Sequence, residues 1–147
     1  MDDLLPQLRA AAQADDSTKW YDVVSDSQVE YVELAIGVEL PTLLKQCYTK
    51  ISNGGFGPGY GITGLPGGHE SSWGDLIATV KELRRHEDCE EGYLPLIDWG
   101  CGHFTCIDCD DEDMAVTLKD GDFHHEEFDL REFLHRWCRG KDRYRED

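Results

Sequence analysis

The chain predicts an α+β fold: helices in its first half, then an antiparallel meander closed by one more helix. Three observations carry this. Apolar residues recur at helical spacing behind capping residues in the first half and again at the end. Two short apolar runs flank Gly100-Cys101-Gly102, as buried strands around a tight reversal do. Asp120-Gly121 then separates two further extended segments, and an Asp-Gly pair there favours a two-residue hairpin.

Taken in order, residues 2–14 form a helix with Leu4, Leu5, Leu8 and Ala11 or Ala12 on one face and Asp2 or Asp3 as cap. Trp20, Tyr21, Val23 and Val24 make an apolar connector. Ser27-Gln28-Val29-Glu30 fits a capping box, followed by a stripe of Val29, Val32 and Ile36 and a stop at Gly37. Pro41 opens the next helix, whose stripe is Leu43, Leu44, Cys47, Tyr48 and Ile51. Asn53-Gly54-Gly55 ends it. The glycine-rich stretch 56–68 reads as irregular strand and turns, with Phe56, Tyr60 and Ile62 packed on the core. Asp75 caps a helix bearing Leu76, Ile77, Val80 and Leu83.

The hairpin comes next, from Tyr93 to Cys109, placed at the centre of the sheet. Asp98, beside the turn, is expected to accept hydrogen bonds from turn amides. Met114–Leu118 and Phe123–Phe128 complete the meander. Asp129 caps a last helix with Leu130, Phe133, Leu134 and Trp137 on one face. A chain of 147 residues with 39% hydrophobic content has enough material for one core, so residues 1–147 are read as one domain. Residues 1–24 are its N-terminal helical extension and 140–147 a charged tail.

Charge narrows the function. The formal net charge is -17. A field of that sign repels nucleic-acid backbone and anionic membrane and attracts basic partners. No apolar run approaches the roughly 18 residues that span a bilayer. The acidic start Met1-Asp2-Asp3 is unlike a secretory signal, so a cytoplasmic protein with reduced cysteines is expected.

Motifs with chemistry are weak. Cys101, His103, Cys106 and Cys109 invite a zinc reading. On a strand, however, Cys106 points with Phe104 and Asp108, and Cys109 with Thr105 and Ile107, so the two cannot share one metal. Packing of free thiols is the preferred reading. Gly59-Tyr60-Gly61-Ile62-Thr63-Gly64 matches the dinucleotide spacing but is followed by Leu65-Pro66-Gly67-Gly68, not by a helix. The acidic run from Asp108 lacks the glycine and glutamate of a calcium loop, having Asp113 and Lys119 at those places. His124-His125-Glu126-Glu127 lacks zinc-protease spacing. No nucleophile elbow or phosphate loop is present. The chain is therefore read as a non-enzyme with no cofactor and no metal.

What remains is an acidic rim. Glu87, Asp88, Glu90 and Glu91 precede the hairpin, and 108–113 follow it. Trp73, Trp99, Tyr93 and Phe56 are candidate aromatic neighbours. Acidic rims around aromatic anchors suit capture of a basic protein. The partner-binding residues are assigned as Glu90, Glu91, Trp99, Asp110, Asp111, Glu112 and Asp113.

Val32-Glu33-Leu34-Ala35-Ile36-Gly37, then Leu40-Pro41, then Asn53-Gly54-Gly55-Phe56-Gly57-Pro58-Gly59 resemble the SUKH superfamily, which holds yeast cell-wall-synthesis regulators and many bacterial immunity proteins. Leu94-Pro95-Leu96-Ile97-Asp98-Trp99-Gly100-Cys101-Gly102 and Phe104-Thr105-Cys106-Ile107-Asp108 resemble its second signature, and Leu130–Trp137 its terminal helix. The resemblance covers most of 27–139. It implies a non-catalytic α+β domain, and for bacterial members neutralisation of cognate toxins, often nucleases, encoded beside them. The expected function is thus an immunity protein that blocks a basic toxin. The alternative is an intracellular scaffold or regulatory module, and after it a small metal-binding protein.

Overall fold

The computed structural model describes residues 4–85, 92–100, 103–109, 114–119 and 122–139, and of 103, 114–119 and 122–128 it describes the backbone. Among the described residues the order is α1 (Leu4–Ala14), α2 (Asp26–Ile36), α3 (Thr42–Lys50), α4 (Leu76–Leu83), β1 (Tyr93–Gly100), β2 (His103–Asp108), β3 (Met114–Lys119), β4 (Asp122–Asp129) and α5 (Leu130–Cys138). The four strands form an antiparallel meander in the order β1-β2-β3-β4. The α+β reading holds.

The helices form where period and caps agree. α1 buries Leu4, Leu8 and Ala12. Its predicted cap at Asp2 or Asp3 lies outside the described residues. α1 is no appendage: its buried stripe belongs to the same core as the rest, and the Arg9 guanidinium donates to the Lys50 carbonyl at the end of α3. α4 and α5 start at Asp75 and Asp129, whose carboxylates accept from the amides of Ala78 and Glu132. α5 buries Leu130, Phe133, Leu134 and Trp137, the predicted face. Gly37 closes α2 at φ 74, in the left-handed region.

The cap of α2 is corrected. Ser25, not Ser27, is the N-cap, and its box partner is Gln28, not Glu30. Both serines satisfy the capping pattern, so packing decides. Starting at Ser25 places Val24 just before the cap and Val29 four residues in, both buried, which is the arrangement of a hydrophobic staple. Starting at Ser27 would put Asp26 in that place. The Val24 amide, bonded to the Tyr48 carbonyl at 3.1 Å, holds the entry point. Pro41 likewise sits one residue before α3 and not inside its first turn.

The predicted hairpin forms, with Gly100 opposite His103 and Gly100 at φ 90. Lys119 pairs with Asp122, leaving two residues between them as an Asp-Gly turn requires. The turn residues themselves lie outside the described residues. The hairpin is not central, however: β1 is the first strand of the sheet. Its outer edge is met by the glycine-rich stretch. Ile62 bridges Ile97, and the Thr63 amide donates to the Leu96 carbonyl at 2.9 Å. The Gly55 amide in turn bonds the Ile62 carbonyl, and the Lys19 amide bonds the Gly55 carbonyl, both at 2.9 Å. Backbone hydrogen bonding therefore continues past β1 through two irregular layers, which covers an edge that would otherwise invite pairing.

Glycine is required where these layers touch. A Cβ on Gly55 would lie 2.1 Å from the Lys19 carbonyl oxygen, and one on Gly54 2.4 Å from that of Ile62. Asn53 fastens the far side. Its amide accepts from the Leu65 N–H at 2.8 Å and donates to the Leu65 carbonyl at 3.2 Å, which satisfies both backbone groups of a buried residue. The dinucleotide-like spacing thus records a packed backbone knot.

Burial falls into two clusters. The larger joins all five helices to Leu94, Leu96, Ile97 and Ile107. The smaller holds Leu83, Tyr93, Phe104 and Cys106, with Trp73 stacked on Phe104 at 4.5 Å between ring centroids. Cys109 packs against the larger cluster and Cys106 belongs to the smaller, so the two thiols sit on opposite faces as strand alternation requires.

Candidate partner-binding corner at Tyr60 and Trp99

The end of β1 is built by Asp98-Trp99-Gly100. Pairing slips between Asp98 and Gly100, the irregularity of a β-bulge, and such bulges re-aim side chains. Asp98 is buried and holds the bend in place. Its carboxylate accepts from the Gly100 amide at 2.8 Å, the turn contact predicted from sequence, and from the amide and hydroxyl of Ser72. Trp99 is half-buried against the larger core, and its indole N–H donates to the Thr105 hydroxyl at 2.7 Å.

The glycine-rich stretch lies on this corner. Pro58 to Gly61 make a tight turn closed by a 2.9 Å bond from the Gly61 amide to the Pro58 carbonyl. Gly59 faces Trp99 directly: a Cβ there would lie 2.9 Å from Ile97 Cγ2 and 3.0 Å from Trp99 Cε3. Only glycine lets the turn lie flat on the indole. The next residue, Tyr60, then projects beside Gly100, where an added Cβ would be in ordinary contact with Tyr60 Cε2 at 3.5 Å. Tyr60 is 69% exposed. The expectation that it packs in the core is corrected. Phe56 and Ile62 do pack there, but the turn forces the residue between them outward.

His69 lies near the turn. It is buried, and its Nδ1 lies 3.3 Å from the Tyr21 hydroxyl. Burial, reinforced by the Lys19 charge, holds its pKa below the usual histidine value, against the opposing pull of the Tyr60 backbone, Asp98 and Glu70. A neutral imidazole therefore meets the connector before α2 at Tyr21. The signal that could have found the exposed Tyr60 is Pro58-Gly59-Tyr60-Gly61 read as one turn, since turn centres face solvent.

Of the residues assigned to partner binding, Trp99 is described; Glu90, Glu91, Asp110, Asp111, Glu112 and Asp113 lie outside the described residues. The described positions next to them are adjacent: the Cys109 amide donates to the Gly92 carbonyl at 3.0 Å. Trp99 stands seven residues along β1 from Gly92, about 23 Å at strand rise. It is therefore at the opposite end of the hairpin from the points where the acidic segments attach, and its neighbour is Tyr60. Of the other aromatic candidates, Phe56 and Tyr93 are core, and Phe56 packs near Trp137.

The corner presents an exposed tyrosine next to a half-buried tryptophan. Among the described residues no three His, Cys, Asp or Glu side chains are grouped so as to hold a metal ion. No helix among them is long and apolar enough to cross a membrane. A family model described as the SMI1 / KNR4 family (SUKH-1) matches residues 23–137, which takes in the corner and omits α1. No curated protein matches the chain.

Proposed function

The chain belongs to the SMI1 / KNR4 family (SUKH-1), and from that premise we propose that it is an immunity protein that binds and blocks a basic protein toxin. The observation that carries the proposal is Tyr60. It is a large aromatic, 69% exposed, presented beside Gly100 by a turn whose Gly59 lies on Trp99, where the two family signature segments meet. Preorganised aromatic anchors of this kind dominate the energetics of protein interfaces.

The net charge of -17 supports a cationic partner such as a nuclease, whose cleft must attract phosphate. In this proposal Tyr60 and Trp99 form the contact. Glu90, Glu91, Asp110, Asp111, Glu112 and Asp113 supply a field that speeds encounter. The protein works in the cytoplasm, by occupancy and without turnover, and needs no cofactor. The test is co-expression with the toxin gene encoded beside it. Growth is restored by the wild-type chain and poorly by Tyr60→Ala. A toxin equally lethal with and without the chain overturns the proposal and leaves a scaffold or regulatory module as the reading.

A further inference from the structure

α2 is apolar on two opposite sides. Val29, Val32 and Ile36 form the buried stripe. Tyr31 and Leu34, three residues apart and so neighbours on the helix surface, lie on the other side. They are 64% and 85% exposed, and no other large apolar side chain among the described residues is as open as Leu34. A surface helix normally carries polar residues there. Neither residue helps to hold the fold, and neither belongs to the corner at Tyr60 and Trp99.

The charges around this pair have one sign. From Asp22 to Glu39 the sequence carries Asp22, Asp26, Glu30, Glu33 and Glu39 and no lysine or arginine. Lys45 of α3 bridges Glu33 at 3.3 Å and Glu39 at 3.4 Å. Asp22, Asp26 and Glu30 remain exposed. We propose that the outward face of α2 is a second docking surface, for a protein segment with an apolar stripe flanked by lysine or arginine. The apolar pair supplies the anchor and the carboxylates the orientation. A second copy of this chain fits poorly, because two such faces would oppose like charges. An anionic lipid surface is disfavoured for the same reason. This proposal does not rest on the toxin reading: that one fails in a growth assay, this one in a binding titration.

The test uses the full chain, isotope-labelled for NMR, titrated with a short synthetic helical peptide of leucines at helical spacing on a lysine background. A peptide of the same composition with the leucines scrambled is the control. Amide shifts centred on α2 are expected. Affinity should fall about tenfold or more in the Tyr31→Ser, Leu34→Ser variant. Both substituted side chains are exposed, so melting should match wild type, and Leu34→Ala serves as the milder variant. Three results overturn the proposal: no shifts at α2, equal affinity for the scrambled peptide, or a dimer of the free protein that Leu34→Ser abolishes, which would give the face to a second copy.

Discussion

Ser72 donates its backbone amide to Asp98 Oδ2 at 2.8 Å and its hydroxyl to the same oxygen, while the other oxygen of that carboxylate accepts from the Gly100 amide. One side chain thereby joins the loop before α4 to the bulge that aims Trp99. Removing it takes the acceptor from two backbone amides and a hydroxyl at a partly buried site.

Asp98→Ala should therefore cost about 1–3 kcal/mol of folding free energy, because three bonds to a charged acceptor are lost while their partly exposed donors can turn to water. Asp98→Asn keeps one good acceptor and should cost about half as much. Urea unfolding measures both. A loss below about 0.5 kcal/mol for the alanine variant would show that water replaces the carboxylate, and the bend would then have another cause.

Two glycines with similar backbone should respond very differently to alanine. Gly37 has φ 74 and open space where a Cβ would go, so Gly37→Ala should cost only the left-handed penalty, about 1–2 kcal/mol. Gly55 has φ 86 and the Lys19 carbonyl in the way, so Gly55→Ala must also push the connector off the sheet edge, at more than about 3 kcal/mol. Equal midpoints for the two variants would contradict the layered edge described above.

His69 should give a pH signature. Its folded pKa lies below the unfolded value of about 6.5, so the unfolded chain binds the proton first as pH falls. The stabilising contribution of the neutral ring is full above about pH 6.5 and is lost from there down to the folded pKa. Subtracting the stability profile of His69→Gln from that of wild type should isolate this slope, since the carboxylates titrate in both. A flat difference between neutral and mildly acidic pH would mean that the ring is hydrated in the folded state.

Much of the fold was readable because its elements rest on local period. α5 and the closing hairpin follow from Asp129 with its apolar stripe and from the Asp-Gly pair. Other features depend on contacts remote in sequence. Ser25 and Ser27 are equivalent as caps until Tyr48 pins Val24. The covered edge of β1 is not legible in the sequence, because the partner of that strand is a glycine knot with no alternation to detect. Trp99 is grouped with the acidic segments because a meander brings loops to the sheet ends, and which end of β1 carries it depends on where the strand starts, at Tyr93. Tyr60 was placed inside because an aromatic between Phe56 and Ile62 has the composition of core. Its exposure comes from Gly59 lying on Trp99, which is a tertiary fact.

That contact sets the most discriminating prediction about binding. Trp99 is half-buried and bonded to Thr105, so Trp99→Ala would disturb the core and could weaken any activity indirectly. Tyr60 is exposed, and Tyr60→Ala should change folding stability by no more than about 0.5 kcal/mol. If the corner is the anchor, the same substitution should weaken binding of the protein partner by about 1–3 kcal/mol, roughly fivefold to a hundredfold, chiefly through faster dissociation. Tyr60→Phe should keep most of the affinity. Neutralising Asp110, Asp111 and Asp113 to asparagine should act on the other rate: association slows and its dependence on salt flattens, with dissociation little changed. Surface plasmon resonance separates the two. A Tyr60→Ala complex that forms and dissociates like wild type would remove the corner from the interface, whatever the charge variants do.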